Sequence, residues 1–173
     1  MLYIAYGSNM HLPSMAQRCP TATVAGGSQL KGYDLIFRGF ATVEPSENGA
    51  VPVVVWDIGK RDEQALDAYE GYPSFYRKEE HPIELNGQTV NAMVYVMNDG
   101  HPYREPSSHY LNTIREGYES ATRAGLPGFD MAYLDKALEH STTLAQIQDL
   151  YAREMLMEEQ ESDVPNMDMW QTP

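Results

Sequence analysis

The chain has 173 residues, which suffices for one domain with its own core, and 42% of them are hydrophobic. It carries 12 Lys and Arg against 25 Asp and Glu, giving a formal net charge of −13 at pH 7. An acidic surface repels nucleic-acid phosphates and anionic lipid headgroups, so neither nucleic acid nor a membrane is an expected partner.

The cysteine content and the N-terminal segment both indicate a cytoplasmic protein. Cys19 is the single cysteine, so no disulfide can form within the chain, as is usual in a reducing compartment. No base lies near it in the sequence, and a catalytic thiol is therefore not expected. The first residues lack a basic region followed by an apolar run, and no apolar stretch approaches the roughly 20 residues of a membrane span.

The stretch Leu2–Asn9 has the pattern of a buried strand that ends in a tight turn. Apolar and aromatic residues lead into Gly7, and the short polar residues Ser8 and Asn9 follow it. A glycine here can adopt backbone conformations that are closed to other residues, so that successive N–H groups point into one concavity and bind an anion. Turn residues of this kind also end many strands that have no binding role.

A short helix and a long irregular strand are predicted next. The segment His11–Arg18 can form the helix, because Pro13 is tolerated in a first turn. From Thr21 the sequence favours extended structure, with a break at Gly26-Gly27 and a bent or bulged strand over Leu30–Arg38.

Two Asn-Gly pairs predict two antiparallel hairpins. Asn48-Gly49 and Asn86-Gly87 each separate two strand-like runs. This dipeptide supplies the positive φ angles that a two-residue hairpin turn requires. Between the hairpins, Lys60–Glu70 has apolar residues at helical spacing and is followed by Gly71, which suits a left-handed helix end.

The last third of the chain changes to a helical period. Ser107 or Ser108 can cap a helix that ends near Gly125, and two more helices are predicted over Asp130–Glu139 and from Thr143 past Tyr151. Strands first and helices later predict an α+β fold with a mixed or antiparallel sheet. We expect a single domain over residues 1–157 and an acidic, Met-containing, flexible tail over residues 158–173.

Glu70 is the strongest candidate for acid–base chemistry. It falls at the end of a predicted helix, where unpaired carbonyls and the helix dipole disfavour an ionised carboxylate. The aromatic residues expected around it are Tyr69, Tyr72, Phe75 and Tyr76. By excluding water they would raise its pKa further, so that it exchanges protons near neutral pH. The alternative is a solvated glutamate at a helix end, which is the commoner state of charged residues.

Other common chemistries lack a sequence signal. The five histidines show no metal-ligand spacing. No phosphate-binding loop, dinucleotide fingerprint or serine nucleophile elbow is present. We therefore expect neither a metal nor a cofactor. Tyr76 and Tyr110 remain candidates for a pocket wall, because a tyrosine can orient a ligand through its hydroxyl.

Taken in order, several motifs resemble those of the γ-glutamylcyclotransferases and their relatives. The motifs are Tyr6-Gly7-Ser8-Asn9, Leu66-Asp67-Ala68-Tyr69-Glu70-Gly71, Tyr76-Arg77, Pro106-Ser107-Ser108-His109-Tyr110 and Gly125-Leu126-Pro127. They cover roughly Leu2 to Leu138, and one departure is Met10, where members of the family commonly carry Leu. The resemblance implies a small mixed β-barrel flanked by helices, with a cavity lined by the Tyr6 to Asn9 loop.

The resemblance also implies an activity, the release of a γ-glutamyl group as 5-oxoproline without metal or cofactor. Matching positions imply that Gly7, Ser8 and Asn9 hold the glutamyl end and that Glu70 is the acid and base. Tyr76 and Tyr110 would line the pocket, with Tyr6 in the binding loop. The implied partner is a small-molecule γ-glutamyl substrate, and the oligomeric state, a homodimer included, stays open.

Three alternatives remain at this point. The substrate could be a γ-glutamylamine or a γ-glutamyl group that protects a biosynthetic intermediate, in which case only the pocket wall would differ. The same fold could bind a small acidic ligand without turnover, although a carboxyl in an anion site weakens binding unless its proton is used. Finally, the segment after Leu150 could be an interaction segment on a structural scaffold.

Overall fold

The computed structural model describes residues 1–162. These residues form one five-stranded sheet with helices packed around it. The elements in order are β1 (Leu2–Ala5), a 3₁₀ turn (Ser8–Met10), α1 (Leu12–Arg18), β2 (Thr23–Phe37), β3 (Ala41–Asp57), α2 (Lys60–Glu70), β4 (Tyr76–Leu85), β5 (Gln88–Met97), α3 (Ser108–Arg123) and α4 (Met131–Ser162). The predicted tail begins within α4, and residues 163–173 lie outside the described residues.

The short strand β1 lies at the centre of the sheet, whose strand order is β2-β3-β1-β5-β4. It runs antiparallel to β3, with Tyr3 opposite Trp56, and parallel to β5, with Tyr3 opposite Met93. The predicted α+β class and the mixed sheet are therefore confirmed. Because β1 is covered on both edges and its Ile4 is fully buried, the turn that follows it is held in a fixed position.

The sheet is curled but not closed into a barrel. Its two edge strands, β2 and β4, meet through side chains: Ser28 Oγ donates to the Glu84 carbonyl at 2.5 Å, and Tyr33 Oη lies 3.3 Å from His81 Nε2. The sheet therefore departs from the closed barrel that the resemblance implied.

Strand β2 runs without a break from Thr23 to Phe37. Its pairing with β3 shifts register between Val24 and Gly26 and again between Lys31 and Tyr33. The expected bulging is therefore confirmed. The expected break at Gly26-Gly27 is wrong, because ladder pairing continues through both glycines.

The two Asn-Gly pairs have different structures. Asn86 and Gly87 have φ angles of 52° and 78° and join β4 to β5 as a tight hairpin, as predicted. The hairpin predicted at Asn48-Gly49 is wrong, since this pair lies inside β3. The pairing passes from Tyr33–Pro45 to Lys31–Ala50, so residues 46–49 bulge opposite Gly32.

The helices pack on the sheet and on the turn after β1. Helix α3 contacts the 3₁₀ turn, and a Cβ on its Gly117 would lie 3.2 Å from the His11 backbone nitrogen, so this close approach leaves little room for a side chain. Ser107 caps α3, accepting from the Tyr110 amide at 3.2 Å, as the sequence predicts. Within residues 1–162, none of the helices combines the length and the apolarity needed to cross a membrane.

Helix α4 is one continuous helix where the sequence predicts two. Ser141, near the expected break, donates to the Ala137 carbonyl at 2.8 Å and accepts from the Phe37 amide at 2.9 Å. Its hydroxyl thus stays within the helix and also bonds the end of β2. Tertiary contact with the sheet therefore outweighs the weak helix propensity of the Ser-Thr-Thr segment.

Candidate active site

The turn after β1 and the C-terminal end of α2 are far apart in sequence but meet at one small cavity, the inner cavity, with a volume of about 20 Å³. Its lining residues are Tyr3, Tyr6, Gly7, Ser8, Asn9, Ala41, Glu70, Tyr76, Tyr95 and Tyr110. Every residue that the sequence and the resemblance nominated for the site belongs to this lining.

A larger cavity adjoins the inner one. This outer cavity has a volume of about 370 Å³, which lies within the range of small-molecule sites. Its lining residues are Ser8, Phe40, Ala68, Tyr69, Glu70, Gly71, Phe75, Tyr76 and Tyr110. The two cavities share Ser8, Glu70, Tyr76 and Tyr110, so one continuous site has a polar inner end and an aromatic mouth.

Glu70 is the last residue of α2 because Gly71 takes the left-handed conformation, with φ 64°, and ends the helix. Asn9 Nδ2 donates to Glu70 Oε1 at 2.8 Å. Burial raises the pKa of Glu70 to about 7, against the opposing effects of the Arg18 charge and the Asn9 hydrogen bond. Both protonation states are therefore populated near neutral pH, which suits a group that accepts and returns a proton.

The aromatic environment of Glu70 differs in part from the prediction. Tyr69, Phe75 and Tyr76 line the cavities, as expected. Tyr72 is not among the lining residues and is 41% exposed, with the Lys78 ammonium 4.6 Å from its ring centroid. It is a surface residue, because the chain turns away from the cavity after Gly71.

The side chain of Asn9 is almost fully buried and makes hydrogen bonds through both ends of its amide. Its Nδ2 donates to Tyr3 Oη at 2.9 Å as well as to Glu70, and its Oδ1 accepts from Arg18 Nη1. Its backbone carbonyl accepts from Trp56 Nε1 at 3.1 Å. These bonds fix the Asn9 side chain, and with it one neighbour of the Glu70 carboxyl.

Two tyrosines that line the inner cavity donate their hydroxyl protons to backbone carbonyls. Tyr6 Oη donates to the Tyr95 carbonyl at 2.6 Å, and Tyr76 Oη donates to the Ala41 carbonyl at 2.6 Å. Burial raises the pKa of both hydroxyls well above the ordinary value, so both stay protonated. Because each proton is engaged by backbone, these hydroxyls position the strands around the cavity.

Two other tyrosines accept hydrogen bonds. Tyr110 Oη accepts from the Ala41 amide at 3.2 Å, and Tyr3 Oη accepts from Asn9. Burial raises the pKa of both hydroxyls, so they remain neutral donors. Since these bonds use the oxygens as acceptors, Tyr3 and Tyr110 can each donate a proton to a ligand in the cavity.

Gly7 lies close to the side chains that line the inner cavity. Its φ is −118° and its ψ is −136°. A Cβ at this position would lie 3.3 Å from Tyr110 Oη and 3.4 Å from Ala41 Cβ. Glycine therefore makes room for the hydroxyl of Tyr110. Beside it, Ser8 Oγ lies 3.0 Å from Tyr69 Oη.

Cys19 has the properties of an unreactive core residue. It is fully buried, and burial together with the Asp62 carboxylate raises the pKa of its thiol to about 11. A thiol of this kind is protonated and a weak nucleophile at neutral pH. In the described part of the chain, no cluster of three or more His, Cys, Asp or Glu side chains could hold a metal ion.

Comparison with known proteins identifies the family. A family profile described as "Gamma-glutamyl cyclotransferase, AIG2-like" matches residues 3–117, which is more than half of the chain and includes every nominated site residue. This chain belongs to the γ-glutamyl cyclotransferase family. Among curated proteins, none matches the sequence.

Solved structures agree with this membership of the γ-glutamyl cyclotransferase family. A "Gamma-glutamyl cyclotransferase" superimposes with a TM-score of 0.65 at 27% identity, covering 79% of this chain and 85% of that one. The uncharacterized protein loc79017 from Homo sapiens has a TM-score of 0.63 at 27% identity, covering 83% and 85%. YkqA from Bacillus subtilis, at 21% identity and a TM-score of 0.65, covers 83% and 55% and shows the fold alone.

In this γ-glutamyl cyclotransferase family member, sequence reasoning missed part of the site. Tyr3 and Tyr95 line the inner cavity, and Phe40 lines the outer one. Arg18 lines neither cavity but contacts Asn9 of the inner one and Tyr69 of the outer one. Tyr95 had the pattern of a core residue in an apolar strand. No sequence signal separates Arg18 from an ordinary basic residue at a helix end.

Proposed function

We propose that this protein releases 5-oxoproline from a γ-glutamyl amide, with Glu70 as general acid and base. The observation that supports this most directly is the Glu70 carboxyl, which lies at the junction of the two cavities with a pKa of about 7. Asn9 donates to one of its oxygens, so its orientation is fixed. A carboxyl in this state can both remove and return a proton at neutral pH.

The reaction needs no nucleophile from the protein. The α-amine of the substrate attacks its own γ-carbonyl carbon, a new C–N bond closes the five-membered ring, and the original γ-amide C–N bond breaks. The α-ammonium group loses two protons as it becomes the lactam N–H. One passes to water, and Glu70 accepts the other and gives it to the departing amine as the γ-amide bond breaks. Positioning of the reacting atoms can supply about 7–11 kcal/mol of the barrier, and proton transfer a further 10²–10⁴-fold in rate.

The volumes of the two cavities determine which part of the substrate each can hold. The inner cavity, at about 20 Å³, has room for little more than one water-sized group, so a whole glutamyl unit extends into the outer cavity. In this arrangement Tyr6, Gly7, Ser8 and Asn9 hold the glutamyl end. Tyr110 donates its hydroxyl proton to the developing oxyanion, and Tyr76 forms a rigid wall.

The aromatic mouth of the outer cavity favours an amine as leaving group, which makes a γ-glutamylamine the second candidate for the substrate. Among the described residues, the lining of the outer cavity contains no Lys or Arg that could pair with a carboxylate. The whole chain is also strongly acidic, with a formal net charge of −13. An apolar or cationic amine therefore suits this mouth better than an amino acid, which favours γ-glutamylamines over γ-glutamyl amino acids.

The first test is to incubate the protein with panels of γ-glutamyl amino acids and γ-glutamylamines and to detect 5-oxoproline by mass spectrometry. Glu70→Gln is compared with Glu119→Gln, which changes an exposed glutamate on α3. We expect product from the wild type and Glu119→Gln, and almost none from Glu70→Gln. Equal product from Glu70→Gln would move the acid–base role to another group. No product from any member, with a γ-glutamyl ligand still raising the melting temperature, would favour a binding role.

A further inference from the structure

Arg18 contacts two residues of the site from outside both cavities. It ends α1 and is not among the residues that line either cavity. Its Nη1 donates to Asn9 Oδ1, and its guanidinium carbon lies 3.4 Å from the centroid of the Tyr69 ring. Tyr69 in turn shares a hydrogen bond with Ser8. Arg18 therefore connects α1 with the Tyr6 to Asn9 loop and with the end of α2.

The hydrogen-bonding chemistry of Arg18 determines how the Asn9 amide is turned. A guanidinium group has donors and no acceptor, so the end of the amide that faces it must be the oxygen. The opposite end, Nδ2, then faces Tyr3 Oη and Glu70 Oε1 at 2.9 and 2.8 Å. Turned by 180°, the amide would place its N–H groups against Arg18 and its oxygen against Glu70. The first contact would be repulsive at any pH, and the second would be repulsive whenever Glu70 is a carboxylate.

We infer that Arg18 is a positioning residue: it fixes the Asn9 amide so that an N–H group always faces Glu70, and it clamps Tyr69 beside the same carboxyl. This inference rests on the proposed function of Glu70. Arg18 does not line the cavities, so it acts through Asn9 and Tyr69 and not by binding substrate.

Arg18 also supplies a formal charge that acts on this carboxyl. Within the described part of the chain, the titratable groups that interact electrostatically with Glu70 are Tyr3, Tyr6, Tyr76, Tyr95, Tyr110 and Arg18. Burial raises the pKa of each of these tyrosines, so they are neutral at pH 7. The positive charge of Arg18 lowers the pKa of Glu70, as does the Asn9 hydrogen bond, and both oppose the effect of burial. Arg18 thus keeps a fraction of Glu70 in the carboxylate form that accepts a proton.

The test combines Arg18→Gln, Arg18→Lys and the control Arg115→Gln, which removes an exposed arginine on α3 paired with Asp135. Two readouts are the pH profile of 5-oxoproline formation and an NMR titration of the Glu70 carboxyl carbon, which reports its pKa without turnover. For Arg18→Gln we expect the pH profile and the Glu70 pKa both to shift upward by about one pH unit. At pH 7 kcat should therefore fall about fivefold, and it should recover above pH 8. KM should change less than about threefold, since Arg18 does not line the site.

The conservative variant separates positioning from general stability. Lys keeps the charge and a donor for Asn9 Oδ1, so Arg18→Lys should return the Glu70 pKa to within about half a unit of the wild type. Arg115→Gln should leave both readouts unchanged. If Arg18→Gln does not fold, Asn9→Asp tests the same link, because it keeps a partner for Arg18 but removes the N–H donor to Glu70. That variant should raise the Glu70 pKa further still.

An unchanged Glu70 pKa in Arg18→Gln, or in Asn9→Asp where the first variant is unfolded, would overturn the inference. A rise in KM with unchanged kcat would also overturn it, since that result describes a substrate-binding arginine. If the wild type forms no 5-oxoproline, the proposed function fails separately. The NMR titration would still decide whether Arg18 controls the carboxyl.

Discussion

The inner and outer cavities share four residues, but their walls are held in different ways. The residues that line only the inner cavity are held by directional hydrogen bonds: Tyr6 donates to the Tyr95 carbonyl, and the Asn9 carbonyl accepts from Trp56 Nε1. In the outer cavity, Phe40 is 47% exposed and meets Tyr110 and Phe75 by ring edges, at centroid distances of 5.0 and 6.0 Å. Directional bonds fix the inner geometry, while the outer wall rests on contacts that tolerate adjustment.

Under the proposed function, this difference gives the two cavities different roles. Proton transfer and carbonyl polarisation need atoms placed within a few tenths of an ångström, which only the hydrogen-bonded inner wall provides. Recognition of the leaving group requires apolar surface of roughly the right shape. Changes in the inner cavity should therefore lower kcat, whereas changes in the outer cavity should alter KM and substrate preference.

The largest effect is expected at Glu70, which belongs to both cavities. Glu70→Gln keeps the size of the side chain but removes the transferable proton, so kcat should fall by about 10²–10⁴ while KM changes little. Steady-state rates of 5-oxoproline formation measure this. A decrease smaller than about tenfold would mean that Glu70 is not the proton carrier and that the inner wall has another acid and base.

Tyr110 and Tyr76 form a matched pair that tests whether donation to the substrate matters. Both variants, Tyr110→Phe and Tyr76→Phe, leave one backbone group of Ala41 without its partner, at a similar cost of about 1–3 kcal/mol in the free energy of unfolding. Tyr110→Phe alone also removes a proton donor, so its kcat should fall further, by about 10². Equal kcat values for the two variants would argue against the donor role.

The raised pKa of Glu70 should also be visible in the stability of the protein. Its pKa is about 7 in the folded chain, against an ordinary value of 4.5. Between these values the unfolded chain loses a proton that the folded chain keeps, so the free energy of unfolding should fall as the pH rises, by up to about 3 kcal/mol. Chemical denaturation at pH 4.5 and pH 8 measures this fall. Glu70→Gln should remove most of it, and an equal slope in both proteins would contradict the buried, protonated carboxyl.

The smallest effect is expected in the outer cavity. Phe40→Ala removes part of the aromatic mouth, so KM for an apolar γ-glutamylamine should rise about fivefold with kcat nearly unchanged. Tyr72→Ala is the control, because Tyr72 is similarly exposed but lies outside the cavity lining. If both variants behave alike, or if Phe40→Ala lowers kcat more than KM rises, the division between the two cavities does not hold.

Much of the site could be predicted because its central residues lie next to local signals. Gly7, Ser8 and Asn9 follow a short strand, and Glu70 precedes the Gly71 helix end, so pattern and chemistry coincide over a few residues. The remaining members could not be found in this way. Tyr3, Phe40 and Tyr95 lie on or beside strands where an aromatic residue usually means core, and only the packing of those strands exposes them to a cavity.

The two Asn-Gly pairs show that the same dipeptide forms a hairpin turn at one position and not at the other, depending on which strands pair. At Asn86-Gly87 the strands on both sides pair with each other, so the positive φ preference of the dipeptide and the tertiary structure agree. At Asn48-Gly49 the flanking strand pairs instead with β2, and a Cβ on Gly49 would lie 2.2 Å from the Tyr33 carbonyl oxygen. The sequence by itself determined the class of fold, the helix end at Glu70 and the Tyr6 to Asn9 loop, since each depends on neighbouring residues. The tertiary structure alone decided strand partners, the orientation of Asn9 by Arg18 and the two-part cavity, since these depend on contacts between distant segments.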